Sequence, residues 1–318
     1  GSPSAWEDVL KSNLTKGFKR YLKLVKKNTS FINARPYNIL ITATMSAGKS
    51  TLINSLVGKN ISLMQNMACT SKIHTIISKP IEDGVSSEYD HDLSMDASKE
   101  DLLSDNEDNK SYKITVGTFF NGELGGKRII LFDSPGVNSS ENVEHTEISQ
   151  RMIKSRKYHL MIYVLNSTQL GTTDEEHHLE VVKQRLGRTK IIFVMNKVDQ
   201  LISEDDNYLD SIENQRKFLV SKGFKNPVIC PVSSRAAYLV KKSKTEEFSR
   251  IERREMENYM DKFETQSLAD YYEEKLGCPH ISTTNEVDAL FVNCGFAHFE
   301  KIIANLYDGG NANGTGIC

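Results

Sequence analysis

Residues 37–57 read YNILITATMSAGKSTLINSLV, and this stretch decides the fold. Tyr37–Thr42 is a short, continuously apolar run of the kind that forms a strand buried on both faces. Ala43-Thr44-Met45-Ser46-Ala47-Gly48-Lys49-Ser50-Thr51 follows it, and Leu52, Ile53, Leu56 and Val57 then recur at helical spacing. A Gly-Lys-Ser loop between a strand and a helix is the setting of a phosphate-binding Walker A loop. Its backbone N–H groups make an anion nest, and the helix N-terminus adds partial positive charge. Ser46, Ala47, Gly48, Lys49, Ser50 and Thr51 would then surround the phosphates. Lys49 would reach the β- and γ-phosphates, and Ser50 would give a hydroxyl to Mg²⁺. Ala43 replaces the first glycine of the usual pattern, whereas Gly48, where backbone must approach phosphate, is kept.

The alternation continues beyond the loop. Arg128–Phe132, Leu160–Leu165, Lys190–Met195 and Pro227–Val232 are strand-like, and helical patterns such as Thr146–Lys157 and Glu175–Leu186 separate them. This predicts an α/β fold of three layers, a mostly parallel sheet with helices on both faces, whose ligand site lies at the carboxyl ends of the strands. Polar motifs stand at those ends. Asp133-Ser134-Pro135-Gly136 matches Asp-x-x-Gly, with Asp133 holding Mg²⁺ through water and the Gly136 N–H sensing the γ-phosphate. Asp-Ser-Pro-Gly is also an ordinary turn, so the motif counts only in its order. In Asn196-Lys197-Val198-Asp199, the Asp199 carboxylate can accept both N1–H and the exocyclic amine of guanine, a donor pair adenine lacks, while the Lys197 stem covers the base. Ser233-Ser234-Arg235 then offers a backbone N–H to guanine O6. Four elements in order point to a guanine nucleotide. The threonine that completes the Mg²⁺ shell is assigned to Thr70 in Ala68-Cys69-Thr70-Ser71, with Thr75 as the alternative; a Thr70 that merely opens a strand Lys72–Ser78 is the competing reading.

Composition removes other classes. The chain has 318 residues, 40 Lys+Arg against 42 Asp+Glu, and a net charge of −2, which argues against a strongly basic nucleic-acid binder. No run approaches the roughly 18 apolar residues of a membrane span, and no short apolar stretch with a cleavage site stands in the first residues, so neither a span nor secretion is expected. Five scattered cysteines without CxxC spacing are expected to be reduced thiols, and the protein is expected in the cytoplasm, peripheral at a membrane. The near-zero charge is a cancellation. Residues 1–35 carry Lys11, Lys16, Lys19, Arg20, Lys23, Lys26, Lys27 and Arg35, with Leu10, Leu14, Phe18, Leu22 and Val25 at helical steps, predicting a basic amphipathic helix. Such a helix docks on its own domain or another helix, or lies on an anionic membrane surface. Between Glu82 and Asp108 stand eleven acidic residues and one basic one, read as a solvated excursion without the EF-hand frame. Residues 241–276 are helical in pattern, with Phe248, Ile251, Met256, Tyr259, Met260 and Phe263 as a core-packing stripe, and residues 309–318 are a flexible tail.

The phosphate loop from Thr44 to Asn54, Cys69-Thr70, Asp-Ser-Pro-Gly at 133–136 and Asn-Lys-Val-Asp at 196–199 together resemble the GTPase domain of the dynamin superfamily, most closely its bacterial members. The resemblance spans residues 36–308, with Gly295-Phe296, Phe299, Ile302, Ile303 and Leu306 similar to that domain's closing helix. It implies an enlarged P-loop GTPase domain that converts GTP to GDP and phosphate with Mg²⁺. It also implies a homodimer of heads formed across the nucleotide, hydrolysis coupled to membrane remodelling through regions outside this chain, and residues 1–35 as a neck element. Val137 stands where a Ras-like enzyme carries its water-orienting Gln, and a hydrophobic side chain cannot orient water. The family's answer is the loop serine, here Ser46, with a monovalent cation, K⁺ or Na⁺, and a partner head; Ser46, Lys49 and Thr70 thus become the catalytic candidates. Met45 departs from the Gln of eukaryotic dynamins. The competing function is a GTP-dependent switch or scaffold of septin-like or immunity-related type, without mechanical work on membranes. The length reads as one working part of a larger protein.

Overall fold

A computed structural model describes residues 16–61, 73–89, 93–94, 113–136, 143–155, 158–187, 189–202 and 208–309. In chain order the elements are α1 (Lys16–Asn33), β1 (Tyr37–Ala43), α2 (Lys49–Val57), β2 (Ile73–Ser78), β3 (Ser87–Tyr89), β4 (Leu93–Ser94), β5 (Lys113–Thr118), β6 (Ile129–Asp133) and α3 (Val143–Lys154). They continue as β7 (Leu160–Asn166), α4 (Thr173–Arg185), β8 (Lys190–Asn196), α5 (Tyr208–Ser221), β9 (Ile229–Pro231), α6 (Ser234–Ser243), α7 (Arg250–Thr265), α8 (Ala269–Leu276), α9 (Glu286–Asn293) and α10 (Phe296–Tyr307). Among the described residues nine strands form one sheet in the order β4-β3-β5-β2-β6-β1-β7-β8-β9.

The strands from β6 to β9 are parallel, and β1 sits between β6 and β7, with Ile39 opposite both Leu131 and Leu160. Every residue of β7 is buried, as a central strand covered on both faces requires. In register, Asn166 at the end of β7 stands beside Asn196 at the end of β8. That placement matters for the site. The sheet is mostly parallel, as expected: in its other half β5 runs parallel to β2, while β2 runs antiparallel to β6 and the short β3 and β4 add an antiparallel edge. Part of the acidic run thus corrects its reading as a solvated excursion. Glu88 pairs opposite Val116 and is buried, because strand alternation turns it inward although it lies in an acidic run. Residues 95–112 lie outside the described residues.

Local chemistry sets the helix ends. Gly48 and Gly58 take left-handed conformations at the two ends of α2, and the Gly58 N–H closes on the Asn54 carbonyl. Thr172 caps α4, with Asp174, Glu175 and Glu176 in its first turn and Lys183 and Arg185 in its last, matching the helix dipole. The helical stretch read over 241–276 divides: a Ser249/Glu252 capping box starts α7, and α8 follows the break at Gln266–Leu268. Met256 and Phe263 are core, whereas Ile251 is exposed, because it lies on the outer face of the first turn.

The basic helix is α1. Leu22 is buried, but Tyr21, Val25 and Ile32 face outward, so Val25 leaves the expected stripe. The Arg128 guanidinium donates to the Ile32 carbonyl and, at 2.8 Å, to that of Ala34, fixing the exit of α1. Beside it the Arg128 N–H donates to the Tyr307 hydroxyl, and Lys127 pairs with Asp308 at 2.6 Å, so the end of α10 meets the same loop. No helix among the described residues is long and apolar enough to cross a membrane. Cys230 and Cys294 are free, buried thiols pushed up to about 12 by burial. Cys278 takes part in a disulfide, against the expectation of reduced thiols throughout.

Candidate functional site

Three of the motif loops meet at one end of the sheet. Gly48 holds φ 83°, and a Cβ built on it would lie 2.4 Å from the Asn196 side-chain nitrogen. Only glycine fits there. Asn196 explains the closeness: its Nδ2 donates to the Ala47 carbonyl at 3.0 Å, while its Oδ1 accepts the Ser234 N–H at 3.1 Å. One buried amide thereby joins the Gly-Lys-Ser loop to the segments 196–199 and 233–235. Ser46 and Lys197 both adopt left-handed backbone without being glycine, at φ 60° and 64°, and the Lys197 ammonium donates to the Ser46 carbonyl at 2.7 Å. Non-glycine residues in that region mark positions whose surroundings impose the conformation.

At the phosphate end Lys49 and Asp133 form an ion pair, both side chains nearly buried. Asp133 therefore faces a cation and Lys49 an anion, the charges that a magnesium–phosphate group presents. Ser50 lies in the first turn of α2, behind a glycine cradle that any Cβ would fill. These residues fit Mg²⁺ and the phosphates of a nucleotide. Met45 packs against Gly136, its Cγ 3.4 Å from where a Cβ on Gly136 would stand, so the loop and the Asp-x-x-Gly segment are in contact. Thr70 and Val137 lie outside the described residues, and the alternative Thr75 is buried within β2, opposite Phe132 in the register of β2 with β6.

At the base end Asp199 is buried in a short 3₁₀ turn. Burial raises its carboxyl above the usual range; a hydrogen bond from Ser233 and the charges of Lys262 and Lys197 oppose the rise. Ser233 caps α6, and the Ser233 N–H donates to the Cys294 carbonyl. Arg235 is brought to the site but its guanidinium is taken: it donates to both Glu255 oxygens at 2.8 and 2.6 Å and lies over the Tyr238 ring.

Several participants carried no motif. Asn166 reaches the Ser46 carbonyl, and the Ser167 hydroxyl donates to the Lys197 carbonyl at 2.8 Å. A polar pair directly after the continuous apolar run of β7, at a carboxyl strand end, was a usable signal. Beneath the loop Ser134 donates to Thr42, whose hydroxyl bonds the buried His178 of α4 at 2.9 Å. Burial lowers His178 to about 4, so the imidazole is neutral and can accept. Glu175, one turn earlier, accepts the Gly171 N–H at 2.6 Å, and burial lifts it to about 7.

The family model described as "Dynamin family" matches residues 39–198. A solved structure of an oligomerised bacterial dynamin pair, described as providing a mechanism for long-range sensing and tethering of membranes, matches with a TM-score of 0.51 at 17% identity, over 96% of this chain and 46% of that one. This chain thus spans about half the length of that bacterial dynamin. Toc33 from Arabidopsis thaliana, in complex with GDP and Mg²⁺, matches with a TM-score of 0.48 at 10% identity, over 95% and 94% of the two chains. No curated protein sequence matches. With a P-loop GTPase fold, its motif loops brought together at one end of the sheet and half the chain under one family model, the chain belongs to the dynamin family.

Proposed function

We propose that this chain is a GTPase that binds GTP with Mg²⁺, hydrolyses it to GDP and phosphate, and works as a homodimer of heads coupled to membrane remodelling. The observation that carries the reading is the Asn196 side chain, whose two ends hold the phosphate loop at Ala47 and the O6-facing segment at Ser234. A single amide fixes the span between phosphates and base, a span that suits a nucleoside phosphate.

In this reading the N–H groups of residues 46–51 and the Lys49 ammonium bind the phosphates, and Ser50 and Asp133 hold the metal, with Thr70 completing the shell. Bound Mg²⁺ would offset the charge on the phosphate oxygens. Asp199 accepts two hydrogen bonds from guanine, Lys197 covers the ring, and Ser233 and Ser234 face O6. Arg235 supports that loop through Glu255. Ser46, exposed beside Met45, is the group that would orient water, completed by a K⁺ or Na⁺ ion and a partner head. The protein would act in the cytoplasm at the periphery of a membrane, reached through regions outside residues 1–318.

The test is GTP turnover measured against protein concentration, with light scattering in GDP plus aluminium fluoride. Specific activity should rise with concentration, and scattering should rise with the transition-state mimic. A flat specific activity would remove the dimer-assisted mechanism and favour a switch that recruits effectors. Lys49→Ala should lower nucleotide affinity by about a hundredfold, through loss of a charge-assisted phosphate contact; retained affinity would reject the phosphate-loop assignment.

A further inference from the structure

Two loops read the base, and neither is held only by the sheet. One face of α7 touches both. Glu255, Tyr259 and Lys262 recur at steps of four and three and so lie along one side of that helix. At its end Lys262 donates to the Asp199 carbonyl at 2.8 Å. Two turns earlier, Glu255 takes the Arg235 guanidinium with two bonds, the planar fork-to-carboxylate pairing that fixes orientation as well as distance. Tyr259 lies between, near enough for Asp199, Glu255 and Arg235 all to act on its hydroxyl. The adjoining side of α7 puts Met256 and Phe263 into the core, so the helix cannot shift without cost to packing.

We infer that this face of α7 is a clamp that sets the spacing between the Asp199 and Ser233–Arg235 loops, making Glu255 and Lys262 positioning residues for guanine selectivity. The inference rests on the guanine reading above. Its physical content is alignment. Asp199 discriminates only if its two oxygens lie in the plane of N1 and the 2-amino group while the Ser234 side faces O6, and a loop tilted about its own backbone loses both contacts together. Lys262 acts on that backbone and also on the charge. The groups facing Asp199 are Ser233 from the start of α6, Lys197 from its own loop, Lys262 and Tyr259 from α7 and Cys294 from the end of α9. Lys262 and Lys197 are the cations among them, and each favours the ionised carboxylate that guanine requires.

Inosine diphosphate isolates the effect, because it keeps N1–H and O6 and lacks only the 2-amino group. Affinities of the full chain for fluorescent GDP, inosine diphosphate and ADP are measured across pH 5–8. The wild type should bind GDP well above ADP and above inosine diphosphate. Lys262→Met should weaken GDP about tenfold, the scale of one hydrogen bond to a charged group, and inosine diphosphate less, compressing their ratio. It should also move the acidic limb of GDP binding to higher pH, because Asp199 then protonates more easily; Lys262→Arg should restore both. A folded Lys262→Met with wild-type ratio and limb overturns the clamp. Should that variant not fold, Glu255→Gln carries the decision: a compressed GDP to inosine diphosphate ratio supports the clamp and an unchanged one overturns it. A wild type that binds GDP and ADP alike overturns the guanine reading itself, a result distinct from failure of the clamp alone.

Discussion

At the scale of single residues the site is built by steric and electrostatic necessity more than by sequence motif. Gly48→Ala would force a Cβ into the Asn196 amide at a left-handed φ, and we expect loss of about 2 kcal/mol of stability together with most nucleotide affinity, read by thermal melts and fluorescent GDP titration. Wild-type binding by this variant would mean that the Asn196 bridge is not what shapes the loop. Glu175 gives a pH prediction. Burial lifts it from 4.5 to about 7, so the folded protein favours the neutral form; that stability is fully present below the ordinary carboxylate range and is lost as pH rises through about 7. Glu175→Gln keeps an acceptor for the Gly171 N–H and cannot ionise. It should therefore be more stable than wild type at pH 8, on the order of 2 kcal/mol, and no different near pH 4. Denaturant melts at the two pH values check it, and parallel curves at both would show that the carboxyl is not buried in solution.

At the scale of elements the phosphate loop and its strand and helix were legible, and the antiparallel edge was not. β1 and α2 announce themselves through a continuous apolar run, a glycine and helical spacing, all local signals. β3 and β4 sit inside an acidic segment, and what makes them strands is their pairing with β5, a contact no local pattern records. The meeting of Asn196, Asp199 and Ser234 at one end of the sheet could likewise be read from motif order, whereas Asn166, His178 and Lys262 come from elements placed only by the fold. Arg235 shows the limit from the other side: its position in the loop was readable, its engagement by Glu255 of α7 was not. The corner between α9 and α10 yields another expectation. A Cβ on Gly295 would lie 2.3 Å from the Pro231 carbonyl, at φ 80°, and the Cys294 carbonyl next to it receives the Ser233 N–H. Gly295→Ala should destabilise by about 3 kcal/mol or more and raise amide exchange in residues 229–236. Exchange confined to α10 would instead separate that corner from the base loop.

At the scale of the whole molecule the ends of the α/β body converge. α1 leaves through Arg128, and α10 arrives through Tyr307 and Asp308 at the neighbouring Lys127, so one loop at the root of β6 anchors both terminal helices. Arg128→Ala should free α1 while leaving the sheet intact, giving faster amide exchange in residues 19–34 with a melting temperature lowered by only a few degrees; a collapse of the whole protein would show that α1 is part of its core. β6 carries Asp133 at its other end, so a displacement along this strand has an anchor at one end and the carboxylate that pairs with Lys49 at the other. The sheet order has a consequence for the order of assembly. Tyr37 of β1 pairs with Ile129, and Ile39 with Leu160, so the strand leading into the phosphate loop acquires neighbours only after long stretches of later chain have been made. On a ribosome, β1 is an apolar segment in waiting, and closing its long loops makes its capture slow. The candidate nucleotide site is then a late product of folding, and a bound nucleotide would select for chains in which the centre of the sheet has closed.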